Sequence, residues 1–255
     1  MPAYHIGCSG YHYRHWRGLF YPDKLPMRRW FEFYSQQFLT LELNVTFYRF
    51  PQLRFLQGWY AQSPAEFLFS VKAPQLITHY KQFHNCQQLL ADFYHTTANG
   101  LAEKLGPVLF QLPPRLTYDA ARLARLLDCL DPAFANVLEF RHPSWWQPAV
   151  YEALRARGVS FCGQSHPDLP DAAVATAPLL YYRFHGVPDL YRSPYDESFL
   201  RRVAAETQAA SAAQAYLYFN NDIDASAIGN ARRMRQLLAP GPALPDAGEG
   251  GRNAG

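Results

Sequence analysis

The chain has 255 residues, which excludes a disulfide-stapled miniprotein and fits one large α/β barrel or two modest domains. Hydrophobic residues make up 49% and charged residues 18%, so a packed core is expected and a disordered chain is excluded. The 24 Lys and Arg against 21 Asp and Glu leave a formal charge of +3, too small for bulk nucleic-acid binding unless a local basic cluster supplies it.

The N-terminal MPAYHIGCSG has no basic segment leading into an apolar one, so no signal peptide is expected. No apolar run approaches the ~18 residues that a membrane-spanning helix needs. Cys8, Cys86, Cys129 and Cys162 form no C-x-x-C pair and need no disulfide framework. A cytoplasmic protein with no membrane partner is the expectation. Cys8 and Cys162 read as small core hydrophobes.

In chain order, short apolar runs bounded by turn residues predict strands over Tyr4–Ser9, Thr40–Val45, Phe67–Lys72, Val108–Leu112, Val137–Arg141, Val159–Gly163, Leu179–Phe184 and Ala215–Asn220. Helix-length segments separate most of them. Leu123, Leu126, Leu127 and Leu130 recur at helical spacing. Ser144 through Gln147 has capping-box spacing, placing Trp145 and Trp146 at a helix start, with Gly158 as the stop. Ser193-Pro194 is expected to cap a helix presenting Phe199 and Val203, and Asp224 a last one presenting Ile228, Ala231, Met234 and Leu238. The gap between the sixth and seventh strands is tight, so its helix is expected to be short or irregular. Eight strand–helix units imply a parallel sheet closed into a TIM-like (β/α)8 barrel, a single domain over residues 1–238. Residues 239–255 are rich in Pro, Gly and Ala and are expected to be a flexible tail without chemistry.

Side-chain alternation sorts each strand into two faces. Leu41, Leu43 and Val45 oppose Glu42, Asn44 and Thr46. Phe67, Phe69 and Val71 oppose Ser70 and Lys72. Leu138 and Phe140 oppose Glu139 and Arg141, and Leu180, Tyr182 and Phe184 oppose Arg183 and His185. Leu217 and Phe219 oppose Tyr216, Tyr218 and Asn220. The inward faces are polar, with charge gathering at the C-terminal strand ends, where barrel enzymes place their active sites. The candidate site is therefore Asn44, Thr46, Tyr48, Lys72, Gln111, Glu139, Arg141, Arg183, His185 and Asn220.

A structural network, Glu42 with Lys72 and Glu139 with Arg183, would account for part of this cluster. Three cations from different strands are better explained by an anionic phosphate or carboxylate ligand. Lys72 reads as an anion partner, with a base or Schiff-base nucleophile as its other role. His185 reads as a proton-transfer group or a hydrogen-bonded core histidine. Glu139 is the candidate general base. Only Glu139, His185 and the deeper Glu42 could serve a divalent metal, so neither metal nor cofactor is expected. The two aspartates of Asn220-Asn221-Asp222-Ile223-Asp224 weaken a phosphate-binding reading of that turn. No Walker loop, G-x-G-x-x-G or G-x-S-x-G elbow occurs.

The loop after the first strand, Gly10 to Pro22, is aromatic and basic and should overhang the barrel mouth. Trp16 and Phe20 read as packing residues, while Tyr11, His12 and Tyr13 are possible ligand contacts.

Several ordered motifs carry a resemblance: Gly7-Cys8-Ser9-Gly10, Trp16-Arg17-Gly18, Phe20-Tyr21-Pro22, Glu42 through Tyr48, Val71-Lys72-Ala73-Pro74, Ile77-Thr78-His79, Gln111-Leu112-Pro113-Pro114, Glu139 through Trp145, Arg183-Phe184-His185-Gly186 and Phe219-Asn220-Asn221. Together they resemble the YecE-like family, domain-of-unknown-function group 72, from about Tyr4 to Leu238. The resemblance implies a TIM-like barrel and supplies no reaction. Tyr11 stands where the family usually has Trp, Val45 where it has a small residue, and Val187 where it is often basic. The Gly163-Gln164-Ser165-His166 stretch is less acidic than in many relatives.

Two functions follow. One is a metal-independent hydrolase, lyase or isomerase acting on a small anionic substrate, nucleotide- or sugar-derived. The other is a single-stranded nucleic-acid-binding protein using the same basic, aromatic mouth.

Overall fold

The computed structural model describes residues 2–239. Eight parallel strands close into a barrel in sequential order: β1 (Ala3–Ser9), β2 (Thr40–Leu43), β3 (Leu68–Lys72), β4 (Leu105–Gln111), β5 (Asn136–Glu139), β6 (Ser160–Ser165), β7 (Leu179–Phe184) and β8 (Gln214–Phe219). The closing seam pairs β1 with β8, from Ala3 opposite Gln214 to Cys8 opposite Phe219. Outside lie α1 (Trp30–Gln37), α2 (Val45–Tyr48), α3 (Leu53–Gln62), α4 (Gln87–Leu101), α5 (Ala120–Cys129), α6 (Pro148–Ala156), α7 (Glu197–Ala209) and α8 (Ser226–Leu238). The TIM-like (β/α)8 fold read from the periodicity is the fold observed. The residues from 240 onward, most of the tail expected to be flexible, lie outside the described residues.

The alternation rule holds because each strand separates two environments. The outward residues Leu41, Phe69, Val71, Phe110, Leu138, Phe140, Tyr182 and Phe184 join the core between strands and helices. A second, smaller core inside the barrel is built from Leu109, Val137, Cys162, Tyr181, Tyr216 and Tyr218. The tyrosines are tolerated there because their hydroxyls find partners: Tyr181 lies 2.7 Å from the Ser70 hydroxyl and Tyr218 2.6 Å from that of Thr40. Charged side chains are left to the layer above them.

Several boundaries differ from expectation. β2 ends at Leu43, and Val45 opens the one-turn α2. Val45 is therefore exposed rather than packed on the barrel wall. Thr46 leaves the inward face, its hydroxyl 2.6 Å from the carbonyl oxygen of Lys72. α6 starts at Pro148. Ser144 lies in a 3-10 turn instead, where its hydroxyl accepts the Tyr118 N–H. α7 is capped by Asp196, whose carboxylate accepts the Phe199 N–H, not by Ser193. α8 follows Ala225, and Asp224 pairs with Arg192 on the surface. Gly158 does end its helix, at φ 63°.

No helix follows β6 among the described residues. An irregular segment takes its place, tied to the strand by Thr176, whose hydroxyl donates to the Val159 carbonyl and accepts the Phe161 N–H. Gly163 permits the approach: a Cβ there would lie 2.5 Å from the Ala172 carbonyl oxygen.

Candidate functional site

The C-terminal end of the barrel holds a buried charge network built on Arg183, which is 1% exposed. Its Nη2 donates to Glu42 Oε1 at 2.6 Å and its Nη1 to Glu139 Oε2 at 2.8 Å. Glu42 also accepts the Ser9 hydroxyl, and at 2.6 Å the Tyr181 hydroxyl. Both acceptor oxygens of Glu42 are therefore engaged. The expected pairing of Glu42 with Lys72 is not formed. Arg183 takes that carboxylate, because its planar fork can bridge two acids as a single ammonium cannot.

Glu139 is held in the same way. Its Oε1 lies 2.5 Å from Arg141 Nη2 and 3.1 Å from His185 Nε2. Burial opposes its charge, but the guanidiniums of Arg141 and Arg183 and the His185 ring outweigh that and hold its carboxyl well below the usual range. Burial, and then the same two guanidiniums, outweigh Glu139 and hold the pKa of His185 well below its ordinary value. Asn220 Nδ2 lies 3.1 Å from His185 Nδ1. The same ring's Nε2 lies 3.0 Å from Arg141 Nη2, so it donates to Glu139 in one ring tautomer and accepts from Arg141 in the other.

Lys72 is 8% exposed and reaches a different partner: its Nζ donates to Gln111 Oε1 at 2.6 Å and lies 4.3 Å from the centre of the Phe47 ring. Burial and the nearby Arg183 and Arg141 outweigh Glu139 and Glu42 and pull its pKa down to about 7. Arg141, with a side chain 7% exposed, keeps a buried Nε without a partner. So does the Oε1 of Gln164, whose Nε2 donates to the Phe140 carbonyl at 2.7 Å.

The structure thus gathers Lys72, Gln111, Glu139, Arg141, Arg183, His185 and Asn220. Asn44, Tyr11 and His12 line a neighbouring cavity of about 340 Å³, floored by Glu42 and walled by Trp59. Tyr11 is engaged there, accepting the Trp59 indole N–H at 3.0 Å. Thr46 and Tyr48 do not join the cluster: Thr46 is spent on backbone, and Tyr48 is 71% exposed on α2. In the first loop Trp16, Phe20 and Tyr21 are buried, Tyr21 stacking on Trp30 at 4.6 Å, so these rings pack rather than present faces.

Two residues named in the sequence only within motifs, and not as site candidates, stand beside the cluster. Gln164 points inward because β6 runs on to Ser165. Its alternation with Cys162 was the available signal. His79 follows β3 on a wide π-type turn, Leu76–Tyr80, and its ring lies 5.1 Å from that of Phe47. Burial, Lys72, Arg115 and Arg141 bring its pKa to about 4. Among the described residues no three His, Cys, Asp or Glu side chains are grouped to hold a metal ion. No described helix is long and apolar enough to cross a membrane.

Comparison with known proteins accords with this architecture. The chain is 26% identical over 252 residues to the UPF0759 protein YunF of Bacillus subtilis, covering 86% of this chain and 89% of that one. It is 30% identical over 131 residues to the UPF0759 protein YecE of Escherichia coli K12, covering 50% of this chain and 47% of YecE. The crystal structure of a DUF72 family protein from Thermotoga maritima superposes with a TM-score of 0.84 at 25% identity, over 92% of this chain and 99% of that one. One from Enterococcus faecalis gives 0.76 at 19% identity, over 93% and 98%, a likeness of fold. The model for the protein family of unknown function DUF72 matches residues 5–249, almost the whole barrel, and the chain belongs to that family.

Proposed function

We propose that the barrel mouth is the site of an enzyme acting on a small anionic substrate, held by Lys72 and Arg141. One observation carries this reading. The two acids of the layer, Glu42 and Glu139, are consumed by arginines, while among the described residues no carboxylate lies within ion-pair distance of Lys72 and the Arg141 Nε has no partner. The two carboxylates cancel the two guanidiniums. A protonated Lys72 leaves one positive charge, which an anion would neutralise.

Arg183 supports the site from behind. Glu139 stays ionised and orients Arg141 and His185, which makes it a poor proton acceptor near neutral pH. Lys72, titrating near 7, is the group suited to exchange a proton there. Hydrolase, lyase and isomerase chemistry are compatible with this arrangement. Nucleic acid is the weaker reading, since the first loop commits its large rings to packing.

Thermal unfolding in rising phosphate or pyruvate tests the reading. Each bound anion should raise the midpoint with the logarithm of its concentration, stabilising the fold by about 2.7 kcal/mol at a hundredfold excess over its dissociation constant. Arg141→Met should abolish the rise. No logarithmic stabilisation by either anion would sink the proposal, and tight, salt-sensitive binding of a single-stranded oligonucleotide would favour the other reading.

A further inference from the structure

Only four of the chain's 24 cationic side chains are lysines: Lys24, Lys72, Lys81 and Lys104. Lys24 is exposed and Lys81 half-buried. Lys104 is buried as a clamp on the end of α3, where its Nζ donates to the carbonyls of Tyr60 and Ser63 at 2.8 and 2.9 Å. Lys72 is the one lysine in the charged layer. The other cations there, Arg141 and Arg183, are guanidiniums that remain protonated and cannot act as nucleophiles.

We propose that the Lys72 amine forms a Schiff base with a small carbonyl substrate bearing an anionic group, the anion resting against Arg141. This rests on the anion-site reading and names its chemistry. The groups facing Lys72 come from several elements: Glu42 on β2, Glu139 and Arg141 at the end of β5, Arg183 on β7 and His79 after β3. None of the carboxylates pairs with it. Its hydrogen-bond partner, the Gln111 amide oxygen, is neutral and accepts from either an ammonium or an amine, more strongly from the ammonium. The Phe47 ring favours the cation. Burial and the two guanidiniums outweigh the ring, so a large share of Lys72 is the neutral amine at pH 7.

The reaction balances without a further reagent. The amine lone pair adds to the carbonyl carbon, and a nitrogen proton passes to the oxygen to give a carbinolamine. The second nitrogen proton leaves with the hydroxyl as water, and a C=N bond forms. A carboxylate and a phosphate both fit as the anionic group, since Arg141 accommodates either.

The test treats the full-length protein at pH 7 with sodium cyanoborohydride and either pyruvate or glyceraldehyde 3-phosphate. Propanal serves as the neutral control. Peptide mass mapping should find a saturable reduced adduct on Lys72, at least tenfold above that at Lys24 or Lys81. Propanal should react far less. The preferred anion distinguishes carboxylate from phosphate substrates. The adduct rate should titrate near pH 7 rather than near the pH 10.5 of an ordinary lysine. Lys72→Arg, checked for native unfolding, should yield no such adduct, with Lys72→Met as a second variant if the first does not fold. An adduct spread evenly over all lysines overturns the proposal. Arg141-dependent stabilisation by phosphate or pyruvate without reducible Lys72 overturns the Schiff base while the anion site stands. Absence of both removes the anion site as well.

Discussion

Arg183 lies between two carboxylates carried on β2 and β5, and all three groups are buried. Replacing it with Met would strand Glu42 without a countercharge and leave Glu139 to Arg141 alone. Arg183→Met should cost on the order of 3–5 kcal/mol in urea unfolding. Adding Glu42→Gln should recover much of that loss, because the stranded charge goes with that acid, while Glu139 keeps Arg141. Lys72 gives a pH signature of its own. Its folded pKa of about 7 lies below its ordinary 10.5, so between these values the unfolded chain binds more protons than the folded one. Stability from this group therefore rises with pH above 7, by up to about 1.4 kcal/mol per pH unit. The difference between the protein and Lys72→Met isolates that slope from tyrosine and cysteine ionisation. A flat difference from pH 7 to 9 would refute it. At this scale the cationic and acidic members of the site were legible from strand parity. The Glu139–Arg183 pair was legible as well, but the partner of Glu42 was not, because Lys72 and Arg183 compete for it through geometry that spacing does not reveal.

Among the elements, β6 and its covering segment depart most from a regular strand–helix unit. Thr176 and the backbone of Ala172 lie directly on the strand where Gly163 has no side chain. Gly163→Ala should force that segment outward at a cost of about 1–3 kcal/mol, measured by thermal or urea unfolding. A loss within error would mean the segment shifts freely. The caps offer a second comparison. Asp196→Ala should lower the unfolding midpoint because the Phe199 N–H loses its acceptor, whereas Asp224→Ala should leave it unchanged. The amphipathic stripes placed the helices, but local signals misassigned their starts. Ser193, buried and accepting the Asp189 N–H, belongs to the turn before α7. Val45 and Thr46 continue the alternation of β2 on paper. In the fold they turn into α2, where the Thr46 hydroxyl reaches the carbonyl of Lys72.

For the molecule as a whole, closure of β1 onto β8 leaves no edge strand. Amide exchange should therefore protect all eight strands together, with the irregular stretch after β6 exchanging first. Independent, early exchange of β1 or β8 would show that the seam opens alone. The barrel was readable from the sequence because eight apolar runs with period-two sorting and intervening helical stripes are local patterns, each fixed by neighbours a few residues away. The convergence of cations at one end followed from the same parity. What only the tertiary structure decided is who meets whom. Glu42 and Arg183 are 141 residues apart, and their contact depends on the register of every strand between them around a closed sheet. Closure hands both acids to arginines and leaves Lys72 beside a neutral amide, because the barrel's curvature sets distances that a linear spacing cannot encode.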